Sequence, residues 1–238
     1  MALSTLALDG DDTLWHSETH FAVTTERVLE LVRPWVDGEA ATAHLLEVER
    51  RNLEVFGYGV KAFILSVIET VVEVSHGQVP AERLHEVVGW AKELLAHPVE
   101  LMDGVAETLD LLGGRYRLVL ITKGALLHQE SKVARSGLAD RFDAVEIVGD
   151  KDVATYRRIL DRHGIAPHEF VMAGNSVRSD VAPVVELGGW GVHVPFHLTW
   201  ALEAHDGTGL GDRAEVADGF AGLPAALDAL ESRAARAG

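Results

Sequence analysis

Short apolar runs recur along the chain, and each run ends at a polar turn. Between them lie segments whose apolar residues follow a helical period. Strands that are apolar throughout and alternate with helices are typical of a parallel sheet buried on both faces. The predicted strands cover residues 6–8, 118–121, 144–148, 170–173 and 191–194.

Residues 39–99 contain no such run and are helical in pattern throughout. From Val60 to Val72, apolar residues at i, i+3, i+4 and i+7 form one stripe on one helix. We therefore predict a sheet-containing core of residues 1–15 and 100–238, interrupted by an all-helical domain of residues 16–99. Within the core, we predict a helix near residues 180–187 and a surface loop over residues 204–219.

Polar side chains cluster in sequence where the predicted strands end. Because ligands bind at the carboxyl ends of the strands in an open parallel sheet, we expect these side chains to lie together. They are Asp9, Asp11, Asp12, Thr122, Lys123, Asp150, Lys151, Asn175, Ser176 and Asp180.

The residue types at these strand ends favour a magnesium ion and an anionic ligand. Asp9 and Asp11 are separated by one glycine, and a cation would relieve the repulsion between the two carboxylates. Hard oxygen ligands without histidine are typical of magnesium, which retains water and binds phosphate groups. Lys151, the Thr122 hydroxyl and the turn amides after Asp9 would supply positive charge and hydrogen-bond donors to a phosphate.

Four segments together resemble the motifs of the haloacid dehalogenase-like (HAD) hydrolase superfamily. The first is Asp9-Gly10-Asp11-Asp12-Thr13-Leu14, and the second is the apolar strand that ends at Thr122. Lys151 resembles the third motif, and residues 174–180 (Gly-Asn-Ser-Val-Arg-Ser-Asp) resemble the acidic fourth motif. The resemblance implies a doubly wound, Rossmann-like α/β core, and it implies that the helical insertion is a cap domain of the first, all-helical type.

The resemblance also implies a role for each matching residue. Asp9 would attack phosphorus and become an aspartyl-phosphate, and Asp11 would act as general acid and then as general base. Thr122 and Lys151 would bind the phosphoryl group, with further contacts from Gly10 and the backbone of Lys123. Mg²⁺ would bind the Asp9 carboxylate, the Asp11 carbonyl and, in the fourth motif, Asn175 and Asp180. Lys123 and Lys132 are alternatives to Lys151.

Two positions refine this expectation. True haloacid dehalogenases lack a carboxylate at the position of Asp11, because a departing halide needs no proton, so Asp11 favours phosphoryl transfer. Asn175 stands where the family often has Asp. Either Asn175 binds magnesium directly and Asp180 binds through water, or Asp180 takes over as the ligand.

The functional prediction is a magnesium-dependent phosphatase that acts on a small phosphorylated metabolite, with a phosphotransferase or phosphomutase as the alternative. A non-catalytic binding protein on the same fold is a third possibility. Whether the protein is a monomer or a homodimer is left open.

Composition narrows the classes of partner and mechanism. The formal net charge of −16 argues against nucleic acid as a partner and against a polybasic membrane anchor. The absence of cysteine excludes disulfides and thiol-based phosphatase chemistry. Because the chain begins without a basic segment followed by an apolar run, we expect a cytoplasmic protein.

Overall fold

The computed structural model of the protein describes residues 2–205 and 210–237. Within these residues six strands form one parallel sheet in the order β3-β2-β1-β4-β5-β6. The strands are β1 (Thr5–Leu8), β2 (Arg117–Lys123), β3 (Ala144–Val148), β4 (Phe170–Gly174), β5 (Trp190–His193) and β6 (Ala214–Val216). This order places β1 at the centre, flanked by β2 and β4.

The chain divides into two compact units. Residues 17–98 form one unit, with helices α1 (Glu18–Val32), α2 (Gly38–Phe56), α3 (Val60–Val74) and α4 (Ala81–Ala96). Residues 1–16 and 99–238 form the other, with the sheet and helices α5 (Val105–Leu112), α6 (Leu126–Ser136), α7 (Val153–His163), α8 (Ala182–Glu186) and α9 (Leu223–Ala237). The junctions differ by one residue from the boundaries expected from sequence.

Alternate strand residues enter two separate hydrophobic cores of the sheet unit. Leu6 and Leu8 belong to one core, while Ala7 between them belongs to the other. Because successive side chains of a strand point to opposite faces, this division shows that both faces of the sheet are covered. The predicted α/β architecture with a parallel sheet is confirmed.

The helical unit has a core of its own. Val60, Ile64, Val67 and Val71 are buried there, as the apolar stripe predicts. Val72, at the end of the stripe, is 38% exposed, because it lies at the margin of the buried face. Among the described residues, no helix combines the length and apolarity needed to cross a membrane.

Three local predictions were wrong. Residues 214–216, predicted as surface loop, form the edge strand β6, which is too short to show an apolar pattern in the sequence. Residues 206–209 of the same predicted loop lie outside the described residues. Strand β2 continues through Thr122 to Lys123, because both residues still pair with β3. Asp180 lies in a π-helical turn, Val177–Val181, that precedes α8, so the regular helix starts later than predicted.

Candidate active site

The carboxyl ends of three adjacent strands bring the predicted residues together. Asp9 follows β1, and its N–H donates to the carbonyl of Ala173 at 2.9 Å, which continues the pairing of β1 with β4. Thr122 occupies the equivalent end of β2. The sheet therefore fixes the backbone positions of the first, second and fourth motifs relative to one another.

Lys151 is buried between two carboxylates. Its Nζ donates to Asp9 Oδ1 and, at 2.6 Å, to Asp180 Oδ1. The exposed fraction of the side chain is 1% for Lys151 and 1% for Asp180. Lys151 thereby links the first and fourth motifs, which lie far apart in the sequence. Asp150, its neighbour, accepts a hydrogen bond from the Lys151 N–H at 2.8 Å.

Charge in this group is unbalanced, because one ammonium faces two buried carboxylates. Burial, together with the repulsion of Asp180, raises the pKa of Asp9 to about 7 against the attraction of Lys151. Burial alone would lower the pKa of Lys151, but Asp180 and Asp9 outweigh burial and raise it. A further positive charge near Asp9 would therefore stabilise its ionised form.

The carboxylate of Asp180 is folded back over the end of β4. A Cβ built on Gly174 would lie 2.2 Å from Asp180 Oδ2, so only glycine leaves room for this side chain. Asp180 Oδ2 accepts from the Ser176 N–H at 3.0 Å, and the Ser176 hydroxyl accepts from the Ser179 N–H at 3.1 Å. These two hydrogen bonds cap the π-helical turn and fix the direction of the carboxylate.

Asn175 is held through its backbone. Its N–H donates to Thr13 Oγ1 at 3.0 Å, and its carbonyl lies 3.0 Å from His193 Nε2. A carbonyl only accepts, so His193 carries its proton on Nε2. Both contacts use backbone atoms of Asn175, and neither uses its side-chain amide.

Asp11 is bound by three side chains. Trp15 Nε1 and Lys132 Nζ donate to Asp11 Oδ1 at 2.6 and 2.7 Å, and Gln129 Nε2 lies 3.2 Å from Oδ2. Burial would raise the pKa of Asp11, but Lys132 and the three hydrogen bonds outweigh burial and lower it. The resting site therefore holds Asp11 as a carboxylate.

Thr122 and Lys123 have different partners, although they are neighbours. Thr122 is buried, and its Oγ1 accepts from Gln129 Nε2 at 2.6 Å. Lys123 Nζ donates to Glu203 and, at 2.8 Å, to Ser179 Oγ. Thus the Lys123 side chain holds the Glu203 segment against the fourth motif, while Thr122 belongs to the network around Asp11.

The turn after β1 explains the glycine between the two aspartates. A Cβ on Gly10 would lie 2.7 Å from the buried ring of Trp15 and 3.2 Å from Thr122 Oγ1. The Gly10 carbonyl accepts from the Leu14 N–H at 2.8 Å, and Asp12 adopts a φ of 59°. The buried ring of Trp15 therefore packs inside the turn.

Sequence reasoning missed Gln129 and Glu203 and considered Lys132 only as an alternative to Lys151. Gln129 and Lys132 are one helical turn apart on α6, the helix that follows β2, so they share a face. That spacing was visible in the sequence. Nothing in the sequence pairs Glu203 with Lys123, because the two are 80 positions apart.

The donor set at the strand ends is compatible with a magnesium ion. No three His, Cys, Asp or Glu side chains within the described ranges are grouped as a metal site. A cation here would therefore need neutral oxygens beside Asp9 and Asp180, such as the Asp11 carbonyl and the Asn175 amide. The two carboxylates against one lysine supply the net negative charge that a hard cation requires.

Comparison with known proteins identifies the family. The model for haloacid dehalogenase-like hydrolases matches residues 3–188. A haloacid dehalogenase-like family hydrolase from Xanthomonas campestris is 39% identical over 100% of this chain and 95% of its own, with a TM-score of 0.88. No curated protein matches this chain.

More distant structures share the fold alone. A 2-haloacid dehalogenase from Pseudomonas syringae pv. tomato DC3000 is 24% identical, with 96% of this chain and 99% of that chain covered and a TM-score of 0.60. A predicted phosphoglycolate phosphatase from Haemophilus somnus 129pt is 15% identical, with 94% and 97% covered and a TM-score of 0.61. A protein described as a dehalogenase and one described as a predicted phosphatase therefore share this fold. By its family match and its 39% identical relative, this chain belongs to the haloacid dehalogenase-like hydrolases.

Proposed function

We propose that this hydrolase releases phosphate from a small phosphomonoester through an aspartyl-phosphate on Asp9. The observation that carries the proposal is the second carboxylate, Asp11, which follows Asp9 and is held by three side chains. Removing a halide from carbon requires no proton donor, whereas an alkoxide leaving group does. The bound Asp11 therefore favours phosphate esters over haloacids.

The two carboxylate oxygens of Asp9 differ in how strongly they are hydrogen-bonded. Oδ1 accepts from Lys151, while Oδ2 has a 3.5 Å contact with Thr13 Oγ1 that is too long for a strong hydrogen bond. In the proposed reaction, an Asp9 oxygen forms a bond to phosphorus as the bond from phosphorus to the leaving oxygen breaks. The leaving oxygen takes its proton from Asp11. Because the resting site holds Asp11 as a carboxylate, Asp11 first takes that proton from the monoanionic phosphate ester.

Hydrolysis of the aspartyl-phosphate completes the cycle. Asp11, now a carboxylate, takes a proton from the attacking water, which bonds to phosphorus as the bond to Asp9 breaks. The contacts of Asp11 in the structure favour that carboxylate form. Lys151 offsets charge on Asp9, and the Thr122 hydroxyl donates to a phosphoryl oxygen.

Magnesium would be held by Asp9, the Asp11 carbonyl, Asn175 and Asp180. Once bound, it would offset the charge between the anionic substrate and the Asp9 carboxylate. Both Asp180 oxygens already accept one hydrogen bond, from Lys151 and from Ser176. This occupancy supports the alternative in which Asn175 is a direct ligand and Asp180 binds through water.

The helical unit, residues 17–98, is proposed to be the cap that selects the substrate. A cap would exclude bulk water from the reaction, so small metabolites are proposed as substrates rather than phosphoproteins. No nucleic-acid or membrane partner is proposed, in keeping with the net charge of −16.

The test is an assay of the purified protein with Mg²⁺ against p-nitrophenyl phosphate and a panel of phosphorylated metabolites. We expect phosphate release that is lost on chelation of the metal and in Asp9→Asn. A parallel assay with a 2-haloacid should release no halide. Halide release without phosphate release would contradict the proposal, and phosphate transfer to an added alcohol would favour the phosphotransferase alternative.

A further inference from the structure

Helix α6 carries two side chains that reach the site although they belong to none of the four motifs. Gln129 and Lys132 lie three positions apart on α6 and both contact Asp11. With Trp15, they form what we call the Asp11 clamp: Trp15, Gln129 and Lys132. The clamp supplies all three side-chain hydrogen bonds described for Asp11.

The clamp holds Asp11 from two directions. Trp15 and Lys132 both donate to Oδ1, and Gln129 approaches Oδ2. The Asp11 side chain is 30% exposed, while that of Lys132 is 12% exposed. The Lys132 side chain is therefore more shielded from solvent than the carboxylate that it contacts.

Gln129 also joins Asp11 to Thr122. Its buried Nε2 lies 2.6 Å from Thr122 Oγ1, 3.1 Å from the Lys123 carbonyl and 3.2 Å from Asp11 Oδ2. The carbonyl and the carboxylate only accept, so the amide nitrogen must face this side. Thr122 Oγ1 then accepts from Gln129, which leaves the Thr122 hydroxyl hydrogen to donate elsewhere.

The turn between β2 and α6 is shaped to bring Gln129 into this position. Gly124 has a φ of +139°, a backbone conformation that side chains with a Cβ rarely adopt. A Cβ there would make only ordinary van der Waals contact with Gln129 Cγ, at 3.4 Å, so the backbone conformation alone favours glycine. The Trp15 ring differs, because it packs so close to Gly10 that a Cβ on Gly10 would lie 2.7 Å from it. A glycine thus lies beside each end of the clamp.

We propose that Gln129 and Lys132 are positioning residues that align the Asp11 carboxyl with the leaving-group oxygen, with Gln129 also aligning the Thr122 hydroxyl with the phosphoryl group. The inference rests on the proposed phosphatase function. A misplaced general acid lowers the rate most when the leaving group is strongly basic, and little when the leaving group departs readily as an anion. Loss of Lys132 should therefore slow the hydrolysis of alkyl phosphates more than that of p-nitrophenyl phosphate.

The test compares kcat/KM for p-nitrophenyl phosphate with that for an alkyl phosphate drawn from the active members of the metabolite panel. We expect Lys132→Met to lower the alkyl value at least tenfold more than the p-nitrophenyl value, and Lys132→Arg to restore most of the loss. Gln129→Met should lower both values, because it also releases Thr122. Glu130→Gln, an exposed neighbour on α6, is the matched control and should change neither.

A double-mutant cycle separates positioning from general damage to the fold. If Lys132 acts through Asp11, Asp11→Asn combined with Lys132→Met should be no worse on the alkyl phosphate than Asp11→Asn alone. The role of Lys132 would be overturned if Lys132→Met lowered kcat/KM equally for both substrates or raised it for the alkyl phosphate. It would also be overturned if the two substitutions lowered the alkyl value independently in the double mutant. The role of Gln129 would be overturned if Gln129→Met left both kcat/KM values as high as Glu130→Gln does. A wild-type protein that releases no phosphate from any substrate would overturn the proposed function itself, and this inference with it.

Discussion

At the scale of single residues, the site depends on buried charges that compensate one another. Lys151 is the sole cation that contacts both Asp9 and Asp180 among the described hydrogen bonds. The positions of Asp9, Asp11, Thr122 and Lys151 were predictable from sequence, because each lies at or just beyond the end of a predicted strand. Gln129 was missed and Lys132 was considered only as an alternative to Lys151, because the contact of each side chain with Asp11 is visible only in the folded structure.

Replacing Lys151 by methionine should be severely destabilising. The substitution removes the cation and leaves two buried carboxylates facing each other, and breaking a buried ion pair in this way costs about 3–5 kcal/mol. Urea unfolding followed by circular dichroism measures the loss. Lys92→Met, an exposed lysine, should change the free energy of unfolding by less than about 0.5 kcal/mol. Similar stability for the two variants would contradict the account.

Gly174→Ala should abolish most of the activity while leaving the protein folded. The added methyl group would occupy the position of the Asp180 carboxylate, and a shift of about 1 Å in such a group costs on the order of 10²-fold in rate. Phosphate release under saturating Mg²⁺ is the measurement. Gly89→Ala, where the new methyl group meets nothing within 4 Å, is the control. Full activity in Gly174→Ala would show that Asp180 is not needed in this position.

At the scale of elements, strands with continuous apolar runs were predictable, and irregular elements were not. The π-helical turn Val177–Val181 depends on Ser176 and on a carboxylate that folds back, and β6 depends on pairing with β5. Neither leaves a periodic pattern. The turn is further held by the short 3₁₀ helix Ala201–Glu203, since Glu203 accepts from Ser176 at 2.6 Å and from Ser179 at 2.5 Å.

Glu203→Gln should destabilise the protein in a pH-dependent way. Burial would raise the pKa of Glu203, but Lys123 and the hydrogen bonds from Lys123, Ser176 and Ser179 lower it below 4.5. A carboxyl with a depressed folded pKa stabilises above its unfolded pKa, and that stabilisation is lost as the pH falls through the folded value. Urea unfolding at pH 7 should show a loss of about 1–3 kcal/mol relative to wild type. The difference should shrink as the pH falls below 4.5 and through the depressed pKa of folded Glu203, and a constant difference would contradict this assignment.

At the scale of the whole molecule, the two units have separate hydrophobic cores. The members of the core in residues 17–98 all lie within that unit, while the sheet has cores on both faces. This division was expected from sequence, because strand-like runs are missing from residues 39–99. The substrate was not predictable, since the directions of the side chains that would select it depend on tertiary packing.

The segment 17–98, expressed alone, should therefore fold into a helical protein with cooperative thermal unfolding. Circular dichroism measures this directly. Val67→Asp, which buries a charge in the core of the unit, should abolish the transition. Val55→Asp, at a side chain that is 73% exposed, should preserve it. A wild-type segment without a cooperative transition would show that its core depends on the rest of the chain.

The central claim is that Asp9 becomes phosphorylated during turnover. The most direct measurement is mass spectrometry of the acid-quenched protein after mixing with a phosphoryl donor and Mg²⁺. The account predicts one added phosphoryl group on the peptide that contains Asp9, labile to hydroxylamine, and none in Asp9→Asn. Phosphate release with no modified Asp9 peptide, or an equal modification in Asp9→Asn, would contradict it.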